Sequence, residues 1–321
     1  MKPESKTMRD VFIEALWRRM HLDSSIFFLS ADFGSPKLDV LRESFKDRFI
    51  NVGIAEQNLI NIATGLAIEG FTVYAYAIAP FLTMRPYEQI RNNLSLMSQI
   101  KEINVNLVGV GAGLSYDVSG PTHHSLEDIS AIRTLPNIMV FSPSDWVLAD
   151  RLVDYSIKVK KPKYFRFDGK PLPNIYKTTR HLSLENGFFI LRKGEDLCFV
   201  STGYMTHTAL KVADILKKDR ISAGVVDVFA LKDIDEKHLS NTLKQYKNII
   251  TIEEAFIGKN GLDNLVLHLL YKKGLNQRFI NMGFTDSYLF EIGSRESLHR
   301  LNRLDAETVV QKVKALINKC R

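Results

Sequence analysis

Three stretches of the sequence carry side chains whose type and spacing could do chemistry. In "NVGIAEQNLINIATGLAIEG", Asn51 to Gly70, one carboxylate, Glu56, stands where an apolar β-type run gives way to a helical one. Leu59, Ile60, Ala63, Leu66 and Ala67 recur at helical spacing and Gly70 is placed to end the helix, so Glu56 falls in its first turn. An acid there complements the helix dipole, a contribution of about 0.3–1 kcal/mol. The same position, at a strand end beside the small residues Gly53 and Ala55, is also where α/β proteins gather ligands, and a carboxyl sheltered there is fit for proton exchange. In the second stretch, "PFLTMRPYEQIRNN", Phe81, Met84 and Tyr87 follow one another at steps of three. Such a stripe either packs a core or furnishes a flat apolar slot for an aromatic ring. The third, "GVGAGLSYDVSGPTHHSLEDI", places Gly109, Gly111 and Gly113 after a strand, but their spacing misses the dinucleotide fingerprint. Its adjacent histidines, His123 and His124, point in different directions with no Cys, Asp or Glu at ligand spacing, so no metal site is expected. A histidine in a glycine-rich loop at a strand end can bind hydroxyls or move protons, or simply face solvent.

The elements that must position these residues read as a parallel sheet covered by helices. Strand-like "IFFLSAD", "RFINVGI", "FTVYAYAIA", "INVNLVGV", "NIMVFSP" and "KYFRFD" alternate with helical runs up to Asp168. "GKPLPNIYKTTRHLSLENG" then carries prolines, glycines and no periodicity, as a linker does. The alternation resumes with "DLCFVSTG", "ISAGVVDVF", "NIITIEE" and "RFINMGF", separated by helical runs and closed by a helix near Ala306 to Asn318. The expectation is α/β: two consecutive α/β domains with mainly parallel sheets, at 1–170 and 187–321, joined by a linker at 171–186. A chain of 321 residues can bury two such cores. No apolar run approaches the roughly 20 residues of a membrane span. The polar N-terminus and two cysteines, Cys198 and Cys320, fit a cytoplasmic protein. The net charge of +7 is scattered over short clusters such as Arg18-Arg19 and Lys217-Lys218 without aromatic interleaving, which speaks against a nucleic-acid partner. There is no "GxSxG" elbow for a serine hydrolase.

Taken in order and at this separation, "VGIAEQN", "FLTMRPYEQIR" and "GPTHHSLEDI" resemble the pyrimidine-binding domain of the transketolase family of thiamine diphosphate enzymes. "LRKGEDLCFVSTGYMTHTALKVADIL", "VVDVFALKDID" and "TIEEAFIGKNGLDN" are similar to that family's C-terminal domain, so the resemblance covers nearly the whole chain. It implies that Glu56 hydrogen-bonds a ring nitrogen of the cofactor's aminopyrimidine and thereby helps activate the thiazolium carbon. It implies that Phe81 stacks on that ring with Tyr87 nearby, that Met84 stands where some relatives carry another aromatic or a basic residue, and that Asp32 lies near the cofactor. His123, and less directly His124, would contact sugar hydroxyls, and Arg9 and Arg166 would hold the substrate phosphate. Asn58, Gly111, Ser119 and "GKNGLDN" depart from the family's usual residues, which bears on the sugars accepted rather than on the cofactor.

The family's magnesium and diphosphate site is carried by a "GDG" motif, and this sequence has none. The resemblance therefore implies the C-terminal subunit of a split transketolase, with a separate N-terminal subunit bearing that motif and a dimer core expanded to a heterotetramer. The neighbouring alternatives are 1-deoxyxylulose 5-phosphate synthase, normally one long chain, and the β subunits of 2-oxo acid dehydrogenases, which usually lack "GPTHH". A noncatalytic partner retaining the fold is a third, against which Glu56, Phe81 and His123 stand.

Overall fold

A computed structural model describes residues 4–177 and 183–318. Residues 178–182 of the expected linker, and Cys320, lie outside the described residues. The first half builds a six-stranded sheet whose order is Phe49–Asn51, Ile26–Ser30, Thr72–Ile78, Asn104–Val110, Lys163–Phe167 and Met139–Phe141, every pair parallel. The central strands "TVYAYAI" and "NVNLVGV" are buried on both faces because helices cover both. Side chains alternate across the sheet: Val73, Ala75 and Ala77 enter one core with Leu59 and Ala63 of the helix Glu56–Ile68. Tyr74 and Tyr76 enter the other, with Phe12 and Leu16 of the helix Met8–Met20.

The second half builds a five-stranded sheet in the order Arg278–Phe284, Asn248–Phe256, Leu197–Ser201, Ala223–Val228 and Phe188–Arg192. The first four strands are parallel, and Phe188–Arg192 runs antiparallel at the edge. That edge strand, the short helix Arg295–Leu301 and the two-residue pairing of Ser5–Lys6 with Leu172–Pro173 are additions to the elements read from sequence.

The halves meet edge to loop. Leu231 donates its N–H to the Val140 carbonyl and Ser142 to that of Phe229, both at 2.8 Å, so the outer strand Met139–Phe141 finds backbone partners from the second half. Arg133, at the end of the helix Asp128–Arg133, reaches across to the carbonyls of Leu231, Asn260 and Gly261. One buried apolar cluster runs through this seam, from Leu107 and Val140 to Leu231, Leu239 and Leu262.

Candidate active site

The carboxyl ends of the first sheet's parallel strands carry most of the residues expected to be functional, as the geometry of an open parallel sheet dictates. Asp32 follows the strand Ile26–Ser30 in a left-handed conformation, φ 53°, and is exposed. Its Oδ1 accepts from Asn51 Nδ2 at 2.9 Å, and Asn51 Oδ1 in turn accepts the Gly53 N–H at 3.0 Å. This fixes the tight turn that delivers Glu56 as the first residue of its helix. The preceding Ala55 offers no side-chain cap, and the Glu56 side chain is turned inward, 4% exposed.

Glu56 Oε1 accepts a hydrogen bond from Arg85 Nη1 at 2.8 Å. The Arg85 guanidinium lies over the face of Phe81, 4.2 Å from the ring centroid. His123 meets the same ring edge-on, with centroids 5.2 Å apart and planes at 70°. Its Nδ1 lies 3.0 Å from Thr122 Oγ1, and its N–H donates to the carbonyl of Gly120, whose φ of 77° makes the turn. Glu56, Phe81 and His123 thus gather at one place, linked through Arg85.

The stripe expected beyond Phe81 is divided. Phe81 and Met84 share the helix Ala79–Met84, where Met84 is exposed, but Pro86 interrupts the run before Tyr87. The Tyr87 hydroxyl turns to the Ala131 carbonyl at 3.1 Å and Thr134 Oγ1 at 2.7 Å, and its ring packs on the core. Tyr87 therefore borders the site rather than extending the slot.

Two of the expected substrate-binding residues are buried. Arg166 is 3% exposed, its Nε bonded to Asp128 at 2.7 Å and its Nη2 to the carbonyls of Ser125 and Glu254. These bonds place the guanidinium inside the seam between the halves. His124 is 4% exposed, with Nε2 3.3 Å from the Asp117 carbonyl oxygen, and desolvation by burial lowers its pKa from the usual imidazole value. Its Nδ1 is buried without a hydrogen-bond partner among the described residues. Arg9 is partly exposed and bonded to Asp10 at 2.8 Å, near Tyr76 and Tyr116, whose rings pack with Phe33.

Sequence pattern gave no sign of the group that supports the histidine loop. Glu254, fully buried on the strand Asn248–Phe256, accepts from Arg295 Nε at 2.8 Å, from Arg295 Nη2, from His299 Nε2 and from the Leu114 N–H. Arg295 Nη1 holds Asp168 at 2.6 Å, its backbone N–H holds Asp117 at 2.7 Å, and its guanidinium stacks on Tyr204 at 3.5 Å. Burial opposes ionisation of Glu254, but the Arg295 charge and the bonds from Arg295 and His299 hold its pKa far below the carboxylate range. The loop must be bare to admit this carboxylate: a Cβ on Gly113, φ 56°, would stand 2.0 Å from Glu254 Oε2.

Comparison with known proteins settles the family. The profile described as transketolase, pyrimidine binding domain, matches residues 4–173, and that of the transketolase C-terminal domain matches residues 188–309. The chain belongs to the transketolase family. Its two sheets are that family's pyrimidine-binding and C-terminal domains. It is 31% identical to a Methanocaldococcus jannaschii chain named as a transketolase C-terminal section, over 96% of this chain and 95% of that one. It is 32% identical to an apulose-4-phosphate transketolase subunit of Actinobacillus succinogenes, covering 86% of this chain and 87% of the relative. Against human transketolase it is 28% identical over 97% of its own length but only 49% of the longer protein. A solved split-gene transketolase, described as an inactive β4 tetramer, superposes with a TM-score of 0.85 at 28% identity, covering 96% and 97% of the two chains.

Proposed function

We propose that this protein is the C-terminal subunit of a thiamine diphosphate-dependent transketolase, transferring a two-carbon ketol unit from a ketose phosphate to an aldose phosphate together with a separate N-terminal subunit. The observation that carries the reading is the convergence of Glu56, Phe81 and His123 at the carboxyl edge of the pyrimidine-binding sheet. The fit to the cofactor's aminopyrimidine rests on what Phe81 and Glu56 already accept: a flat, nitrogen-rich cationic group on the ring face that donates an N–H to the carboxylate. When bound, thiamine diphosphate supplies the electron sink at its thiazolium ring.

The chain's own side chains then divide the work. Phe81 orients the heterocycle by stacking, and Glu56 Oε1 holds or passes one proton at a ring nitrogen, sheltered from water by its burial. Asp32, Met84 and Tyr87 border that place, His123 takes sugar hydroxyls, and Arg9, the more exposed of the two arginines expected there, takes the substrate phosphate. The diphosphate and magnesium ligands are assigned to the N-terminal subunit. Relatives named as a C-terminal section, as one subunit of a transketolase and as a split-gene product support that division. The domain limits 1–170 and 187–321, with the linker between, are retained on this reading, as is assembly into a heterotetramer in the cytoplasm.

The test is co-expression with an N-terminal chain carrying "GDG". The two chains should purify together, bind magnesium thiamine diphosphate and move a ketol unit between phosphorylated sugars, while this chain alone binds the cofactor poorly. Tight binding of magnesium thiamine diphosphate by this chain alone would contradict the shared site.

A further inference from the structure

Arg85 has the most informative position in the site, although its local sequence, between Met84 and Pro86, gives no sign of it. It closes the helix Ala79–Met84 and turns its guanidinium back over the ring of Phe81, 4.2 Å from the centroid. From there Nη1 donates to Glu56 Oε1 at 2.8 Å. His123 packs against the same ring at 70° between planes, and Arg85 covers a face of it. A guanidinium is planar and delocalised, with N–H groups in its plane. It therefore makes, at once, the two contacts that the reading under Proposed function gives to a bound aminopyrimidine: stacking on Phe81 and an N–H to the Glu56 carboxylate.

We infer that Arg85 is an internal occupant of the aminopyrimidine's place, holding Glu56 and covering Phe81 until the heterocycle displaces it. Both ends of the exchange have somewhere to go. The Arg85 side chain is 44% exposed, so on displacement it swings into water and keeps its hydration, whereas Glu56, at 4% exposed, stays inward and passes from one N–H donor to the next. A buried carboxylate left without a donor is costly, and the arginine spares the empty subunit that state. The consequence is competition. The heterocycle binds only the fraction of molecules in which Arg85 has swung out, and the apparent affinity falls by that fraction. This inference rests on the assignment of Phe81 and Glu56 as the aminopyrimidine seat, and its test separates the two.

The probe is 4-amino-5-hydroxymethyl-2-methylpyrimidine, titrated calorimetrically into the co-purified pair of chains, with this chain as wild type, Arg85→Ala, Arg85→Gln and each of these combined with Phe81→Ala. The inference predicts that both single Arg85 variants bind about tenfold more tightly than wild type, since an occupied fraction of about nine-tenths is removed. Addition of Phe81→Ala then returns affinity to the wild-type level or below. Equal affinity in wild type and both Arg85 variants, with binding still lost on Phe81→Ala, overturns the occupant and leaves the seat intact. Weaker binding by the Arg85 variants also overturns it, because Arg85 then touches the ligand instead of displacing it. Binding that is indifferent to Phe81 overturns the seat and the occupant together, and so does the absence of binding in every variant.

Discussion

At the scale of single residues, local sequence marks the places of Glu56, Phe81 and His123, and contacts distant in sequence decide what each side chain meets. Glu56 follows a strand and opens a helix, so its place is set by local periodicity, and the structure turns it inward. Arg166 sits in an equally suggestive motif, yet its partners are remote. Arg166 is claimed by Asp128, 38 residues away, and by the Glu254 carbonyl, 88 away, which no local pattern could foretell. Arg85 went unseen for the reverse reason: an arginine on a polar helix end is ordinary until Phe81 and Glu56 are seen beside it. His123, packed against the Phe81 ring, gives a prediction of its own. In the reconstituted pair, His123→Asn should raise KM for the sugar phosphate about tenfold, the worth of one hydrogen bond to a sugar hydroxyl. Affinity for thiamine diphosphate, measured by titration, should stay within about twofold.

At the scale of elements, the strands of both sheets are written as β-branched and aromatic runs, and each lies where those runs are. The edge strand Phe188–Arg192, "FFILR", is as long and as apolar as the inner Leu197–Ser201, but it is mostly half-exposed and follows directly on the aperiodic stretch ending at Gly187, which masked it. The strand Asn248–Phe256 holds the sharpest physical contrast, two adjacent carboxylates buried on opposite faces. Glu253 accepts the Leu262 and Asp263 N–H groups, both at 2.8 Å, at the start of the helix Leu262–Lys272, and burial pushes its pKa up to about 7. Glu254, held by Arg295, is pushed down. Their linkage to stability has opposite signs. Glu254 contributes stability that is complete above its unfolded value of 4.5 and is lost on acidification. Glu253 keeps its proton in the folded chain while the unfolded chain releases it, so its contribution declines as pH rises from 4.5 towards about 7. Urea unfolding at a series of pH values should show Glu254→Gln flattening the acid limb. Glu253→Gln should gain on wild type steadily across the interval from 4.5 to about 7. Parallel pH curves for the two variants would contradict this assignment.

At the scale of the whole molecule, the two domains are joined by charge as well as by apolar packing. Arg295 alone ties the C-terminal domain to Asp117 and Asp168 of the pyrimidine-binding domain while holding Glu254 under the histidine loop. Breaking such a buried network from one side leaves uncompensated carboxylates, at a cost of about 3–5 kcal/mol. Arg295→Met should lower unfolding free energy by that order in urea titration, and calorimetry should show the two domains melting separately. None of this join was legible beforehand, since it depends on how two separately readable domains dock. The most direct measurement of the central claim is turnover by the reconstituted pair carrying Glu56→Gln, with chain association and folding verified. The account predicts a fall in ketol transfer of roughly 10²–10⁴, the range for losing a positioned proton-transfer group. Transfer within about twofold of the wild-type rate would contradict it.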